Sequence, residues 1–399
     1  MDHAELQIAP PRPAHGTGAS RWLALDWLRG LSIIGMLLNL TPGAWEKQYG
    51  WMVHAKWEGG NLVDMVAPAF LFCIGAAMPL SLSHRMNMGQ PTAALWRHGL
   101  WRAAVLVALG LFLNAYPVFD PAHLRIPGVL QKIGLAFALA LSLVLLTMRR
   151  TTGGSPHFRP YILIGATLFI LASHWALLYF VPVPGFGAPR FDPVGSWPAY
   201  IDRQLFTVPH MFVWWPVDGK VVFDPDGLLN AYTSSASVLI GVLAGLAHMS
   251  GKVRRPAATA FAAGAAMIVL ALALSGICPI IKNIYTATFV LFSAGFSLAL
   301  LALFSLLAGL SATSVLLFPL KVYGANPLLA YVTSFLLAPL FDYSWRFAGG
   351  AASIRSAGQA ALSGVFDPYA ASLTFGLIYL VLQFLVLKAC YRRRWILKL

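Results

Sequence analysis

Charge is scarce in this chain. Asp, Glu, Lys and Arg make up 11% of its 399 residues, against roughly a quarter in a soluble domain. Apolar residues reach 58%, and that excess excludes disorder, a coiled coil and most soluble folds. Cysteine is scarcer still. Cys73, Cys278 and Cys390 fall in apolar runs without a CxxC spacing, so neither a disulfide framework nor a zinc site is expected. His84, His98, His123, His174, His210 and His248 show no metal-ligand spacing either, and no metal is expected. Acidic residues are the rarer sign, 14 against 28 basic, for a net charge of +14. In a soluble protein that balance would point to nucleic acid. In so apolar a chain a membrane explains it better, and no nucleic-acid partner is expected. Residues 1–20 lack an apolar core and a small-residue cleavage site, and read as a disordered cytoplasmic tail.

What is present in quantity is long uncharged stretches. A spanning helix needs about 20 apolar residues. Ten stretches qualify or come close: 28–42, 61–83, 101–116, 128–148, 160–181, 229–248, 257–277, 285–307, 325–341 and 371–389. The fold class is therefore an all-α polytopic membrane protein of about ten transmembrane helices, with nine to eleven allowed. Residues 21–399 read as one transmembrane domain, and 314–320 as a short interfacial or re-entrant piece. With ten spans and a cytoplasmic N-terminus, 18 of the 28 basic but only 3 of the 14 acidic residues fall inside. The inner face then carries +15 and the outer face −1, which places both termini in the cytoplasm. The longest connection, 182–227, is extracytoplasmic on this topology. Its eight prolines and five aspartates suit an ordered cap, although loops of this length also serve as spacers.

Strongly polar groups at membrane depth are costly unless paired, so each is a candidate site. The densest set follows the first span. Asn39 closes that span, and His54, Trp57, Glu58 and Asp64 crowd into eleven residues before the second. One reading is an interfacial turn with an aromatic belt. The other is chemical: histidine is a base or acyl carrier near neutral pH, Asp64 can orient its ring, and Asn39 can donate to an oxyanion. A second set, Arg125, Gln131 and Lys132, opens the fourth span, either as a snorkelling rim or as a site for an anionic or polyhydroxyl ligand. Asp224 and Asp226 precede the sixth span, where capping of the helix dipole accounts for them equally well. Lys282 and Asn283 open the eighth span. Lys321 and Asn326 open the ninth, where Asn326-Pro327 is a helix-start signal.

The chain resembles the transmembrane acyltransferases typified by heparan-α-glucosaminide N-acetyltransferase and their bacterial relatives. The resemblance rests on seven segments in order: A-L-D-W-L-R-G-L-S-I (24–33), L-L-N-L-T-P-G (37–43), H-A-K-W-E-G-G-N-L-V-D-M-V-A-P-A-F-L-F-C-I-G (54–75), R-I-P-G-V-L-Q-K-I-G-L (125–135), D-P-D-G-L-L (224–229) with G-V-L-A-G (241–245), K-N-I-Y-T-A-T-F-V-L-F-S-A-G (282–295) and Y-G-A-N-P-L-L-A-Y (323–331). It implies a helical bundle that takes an acetyl group from cytosolic acetyl-CoA and passes it to a sugar amine across the membrane. The family's active histidine falls on His54, with Asn39 and Asp64 as its companions. Two departures bear on the acceptor: Glu58 stands where asparagine is usual, and Lys132 where arginine is common.

The expected mechanism has His54 as base or acyl carrier, Asn39 at the oxyanion and Asp64 orienting the ring. Arg29, Arg97, Arg102, Lys321 and Asn326 are the candidates for binding acetyl-CoA. Trp57, Glu58, Arg125, Gln131, Lys132, Asp224, Asp226, Lys282 and Asn283 are the candidates for an extracytoplasmic amino sugar or glycan acceptor. The expected partners are membrane lipids and that acceptor, with room for a homodimer, and the expected location is a bacterial inner membrane. The competing reading is a transporter or flippase for a sugar or lipid-linked sugar, whose mark would be discontinuous helices at mid-membrane.

Overall fold

The computed structural model describes residues 22–151, 155–213, 216–347 and 350–397; the tail expected over 1–20 lies outside them. Helices account for most of it. The first half holds α1 (Leu23–Leu40), α2 (Val66–Asn87), α3 (Thr92–Ala115), α4 (Val129–Thr147), α5 (Pro160–Phe180), the short α6 (Trp197–Leu205) and α7 (Leu228–Ser250). The second half holds α8 (Pro256–Leu274), α9 (Ala287–Leu307), the short α10 (Ser311–Leu316), α11 (Phe318–Ala325), α12 (Pro327–Asp342), α13 (Ile354–Ser363) and α14 (Pro368–Arg392). Among the described residues nine helices are long and apolar enough to cross a membrane, and the pair α11–α12, bent by 82°, brings the number to ten if it is counted as one broken span. This is an all-α polytopic membrane protein, with two small two-stranded antiparallel sheets among the described residues.

Several helices begin at signals carried by their own sequences. Proline occupies the first turn of α5, α8, α12 and α14, where a missing N–H costs nothing. Asp367 caps α14 by accepting from the backbone N–H groups of Tyr369 and Ala370. The first and third spans reach further back than their uncharged cores, so α1 includes Asp26 and Arg29 and α3 includes Arg97 and Arg102.

The bundle is organised around α7, whose buried face is rich in small residues: Ser234, Ser235, Ala236, Ser237 and Gly241. It packs tightly on α2. A Cβ on Gly75 would sit 1.9 Å from the Val238 carbonyl oxygen, and one on Gly241 would sit 2.1 Å from that of Phe72. Such close backbone approach replaces hydrophobic drive between helices in lipid. At the rim, α8 buries only Gly264 and Ala271 and exposes Phe261, Val269 and Leu272, as a lipid-facing helix should.

Alternation of the spans sorts the connections into two ends. Segments 41–65, 116–128, 181–227 and 275–286 share one end. Segments 88–91, 148–159, 251–255 and 308–317 share the other, where Trp22 before α1 stacks on His248 of α7 with ring centroids 3.9 Å apart. The first end carries most of the buried charge.

Candidate active site

The loop after α1 is shaped by two asparagines. Asn39 Nδ2 donates to the Met52 carbonyl at 2.9 Å, and Asn61 Nδ2 donates to the Val53 carbonyl at 2.7 Å. Both carbonyls immediately before His54 are therefore fixed by side chains. Beyond it, the buried Asp64 gathers the strand of loop around itself: its Oδ2 accepts from the backbone N–H of Ala55 at 3.0 Å and of Asn61 at 2.8 Å. The other oxygen, Oδ1, lies 2.6 Å from His54 Nδ1.

A third residue joins them from 228 positions away. Lys282 Nζ is 2.8 Å from His54 Nδ1 and 3.3 Å from Asp64 Oδ1. Its segment is fastened to the loop by backbone: Gly59 N–H donates to the Ile280 carbonyl at 2.7 Å, and Ile281 bridges to Glu58. Asp64 Oδ1 has only acceptor capacity, so its 2.6 Å contact favours a proton on Nδ1, which leaves the lone pair on Nε2 as a base or nucleophile needs. The Lys282 ammonium, 2.8 Å from the same nitrogen, favours the opposite tautomer, in which Nδ1 accepts. Burial, and then the Lys282 charge, hold His54 below its ordinary pKa despite the opposing pull of Asp64 and Asp226. Burial brings Lys282 down to about 8.

Beside this trio lies a denser ionic cluster. Arg125 donates through Nε and Nη2 to Asp224 at 2.9 and 2.6 Å, and Nη2 also reaches Asp226 at 3.0 Å. Lys132 Nζ lies 2.6 Å from the other Asp226 oxygen. The Arg125 guanidinium also sits 4.4 Å above the Phe212 ring. Burial disfavours the charges of Arg125 and Asp226, and the pairing more than reverses it, raising Arg125 and holding Asp226 well below the usual carboxylate range. Gln131 donates to the Ile126 carbonyl at 3.1 Å, under the same turn.

Two sequence expectations are corrected here. Asp224 and Asp226 do not cap α7, because two cations outbid a helix dipole for their oxygens. The α7 start is instead held by Asp202 of α6, whose Oδ1 accepts from Leu228 N–H at 3.1 Å. Asp202 is fully buried; burial, with Asp224 and Asp226 nearby, pushes its pKa up to about 8. Likewise Asn326 does not cap α12. Its Nδ2 donates to the Trp395 carbonyl at 2.8 Å and its Oδ1 accepts from Leu397 N–H at 3.0 Å, tying the C-terminal segment into the α11–α12 break.

The other candidates divide. Trp57 spans the gap to the long connection, with Nε1 donating to the Phe191 carbonyl at 2.8 Å and its ring meeting Phe223 edge-on. Glu58 is exposed beside the trio. Asn283 is buried, and neither end of its side-chain amide has a hydrogen-bond partner among the described residues.

A cavity of about 600 Å³ runs along α1, α2, α3 and α4. Arg29, Arg85, His98 and Arg102 line it towards the second end, and apolar residues up to Leu130, Ile133 and Tyr331 line the rest. Arg85 closes the helical segment that Asp64 opens, roughly 30 Å away at 1.5 Å per residue. Of the residues expected to hold a donor, Arg29 and Arg102 line this cavity, whereas Arg97 is exposed and Lys321 and Asn326 lie outside its lining. Arg85 and His98 escape a reading of uncharged stretches because they sit on facing helix ends whose proximity the sequence does not encode. A second, apolar cavity of about 360 Å³ lies across α1 and includes Asn39 and Met52.

Residues 21–184 match the family model described as heparan-alpha-glucosaminide N-acetyltransferase, catalytic. The chain is similar to heparan-alpha-glucosaminide N-acetyltransferase of Mus musculus, with 27% identity over 382 residues, covering 83% of this chain and 56% of the relative. To the Homo sapiens protein of the same name it is 26% identical over 375 residues, covering 82% and 54%. The chain thus spans just over half the length of these relatives.

Proposed function

We propose that this chain, similar as it is to heparan-alpha-glucosaminide N-acetyltransferases, is a membrane-embedded acetyltransferase acting through His54. The observation that carries this reading is the His54–Asp64 contact. In the reactive tautomer Nδ1–H donates to Asp64 across 2.6 Å, which makes Nε2 the basic nitrogen, oriented by a carboxylate that is itself fixed by two backbone N–H groups. This is how an acyl-transfer base is held.

The donor is acetyl-CoA, approached from the cytoplasm. Arg29, Arg85 and Arg102 give the cavity the charge that a polyphosphate needs, and Arg102 Nε is buried without a hydrogen-bond partner among the described residues. The apolar length above them suits a pantetheine arm. Leu130 and Ile133 of its lining bracket Lys132, whose ammonium already belongs to the outer cluster. The acceptor is an amino sugar or glycan amine reaching the opposite face near Glu58 and Trp57. His54 Nε2 removes a proton from that amine as its nitrogen bonds to the acyl carbon and the C–S bond breaks. The proton then leaves on the thiol. The same lone pair serves if the acyl group rests on Nε2 between two half-reactions. Asn39, with one N–H spent on Met52, positions the loop and has one N–H left for an oxyanion.

A discontinuous helix, the 82° break at Asn326, is the one feature that favours a transporter. The Asn326 side chain at that break is taken up by the chain's own C-terminal segment, which argues against a substrate passage there. The test is transfer of labelled acetyl from acetyl-CoA to glucosamine in proteoliposomes. His54→Ala is expected to lower it at least about 100-fold. Undiminished transfer by folded His54→Ala, or counterflow of sugar without donor, overturns the reading.

A further inference from the structure

We propose that Lys282 is a positioning residue that, by setting its ammonium against the ring, keeps His54 unprotonated. This rests on His54 being the base, and it assigns Lys282 to the imidazole and not to the acceptor sugar.

A carboxylate alone against an imidazole favours the protonated ring, because the two opposite charges attract. The groups that face His54 are Asp64 from the turn before α2, Lys282 from the connection before α9, and Asp226 from the connection before α7. Lys132 of α4 stands behind Asp226 at 2.6 Å. Of these, Lys282 is the cation in contact, 2.8 Å from Nδ1. It shares Asp64 Oδ1, at 3.3 Å, with the ring. A second positive charge on the imidazole would face an ammonium across that distance and divide one oxygen between two cations. Together with burial, this reverses the sign expected of a plain His–Asp pair.

The segment that carries Lys282 is held in place by backbone contacts. Gly59 N–H binds the Ile280 carbonyl, and Thr286 Oγ1 accepts from Ile281 N–H at 3.0 Å while donating to the Pro279 carbonyl at 2.8 Å. Tyr285, at φ 49°, turns the chain straight afterwards. The consequence for turnover has two sides. The ring is a weaker base than a plain pair would make it, and once protonated it is a stronger acid towards the leaving thiolate.

The experiment compares wild type with Lys282→Met and Lys282→Arg across pH 5–9, reading kcat/KM for acetyl transfer and, separately, the NMR titration of the His54 ring. Lys282→Met is expected to move the acid limb and the ring titration up together by about one pH unit, a roughly tenfold loss at the acid end that fades towards pH 8. Lys282→Arg is expected to restore both. If Lys282→Met fails to fold, Lys282→Gln is read in the same way. A uniform loss of rate with an unmoved acid limb and an unmoved ring titration overturns the proposal. The ring titration needs no turnover, so it decides the role of Lys282 even if acetyl transfer proves not to be the reaction.

Discussion

Two charged clusters sit side by side at one end of the bundle and handle their charges in opposite ways. In the outer one, Arg125 and Lys132 meet Asp224 and Asp226, two cations for two anions, with every head group within 3.0 Å of an opposite charge. Around His54 one oxygen is shared: Asp64 Oδ1 meets both the imidazole and Lys282. A matched cluster has no reason to bind or release a proton near neutral pH. A shared carboxylate beside an imidazole is poised to do both. Under the proposed mechanism the first cluster is structural and the second chemical, although the sequence offers both as clusters of polar residues at helix starts.

The sharpest way to break that assignment is Asp64→Asn. Two backbone N–H groups point at Oδ2, so the amide oxygen must stay there and the NH₂ must fall at the Oδ1 position. It then faces His54 Nδ1, which has to accept. The ring switches tautomer, and Nε2 gains the proton and loses its lone pair. Transfer is expected to fall on the order of 10³-fold with the fold retained, measured as kcat/KM with labelled donor. Activity within tenfold of wild type would remove Asp64 from the mechanism.

The matched cluster should answer in stability. Arg125→Leu leaves the fully buried Asp224 without its cation, which costs about 3–5 kcal/mol when a buried pair loses one member. Removing both charges in Arg125→Leu/Asp224→Leu should recover much of that loss. Thermal unfolding in detergent reads both, while kcat per folded molecule should change little. A folded Arg125→Leu protein that has lost transfer a hundredfold would instead make the two clusters one catalytic unit.

What the sequence makes legible follows the range of the forces involved. Spans are local: apolar runs of the right length, punctuated by Pro327, Pro368 or Asp367, become helices whatever packs against them. The His54–Asp64 pair is nearly local, ten residues apart and facing across a single turn. Lys282 is 228 residues from His54, and no periodicity announces that the connection before α9 is stapled to Gly59. The same limit explains the capping expectations. Asp224 and Asp226 look like caps because the helix start is local, whereas the cations that claim them arrive from a different connection. Asp202, the residue that does the capping, lies in a stretch whose aspartates are indistinguishable by sequence. Asn326 before Pro327 has a strong local signal, yet Trp395 and Leu397 of the distant C-terminal segment take its side chain.

Asp202 gives the comparison a third case and the smallest expected effect. It makes no ion pair among the described residues, and burial raises its pKa to about 8. The folded protein therefore keeps this proton up to about pH 8, whereas the unfolded chain releases it near ~3.9. Between those values the unfolded state binds fewer protons, so this group makes stability fall as pH rises, with the loss complete above pH 8. Asp202→Asn removes the titration and keeps an oxygen to accept from Leu228 N–H. At pH 5 the variant should unfold within a few degrees of wild type. Its melting temperature should gain on wild type by several degrees between pH 6 and pH 9. A pH-independent difference would mean that Asp202 is ionised in the fold. It would then need a cation of its own, and the matched cluster would no longer be matched.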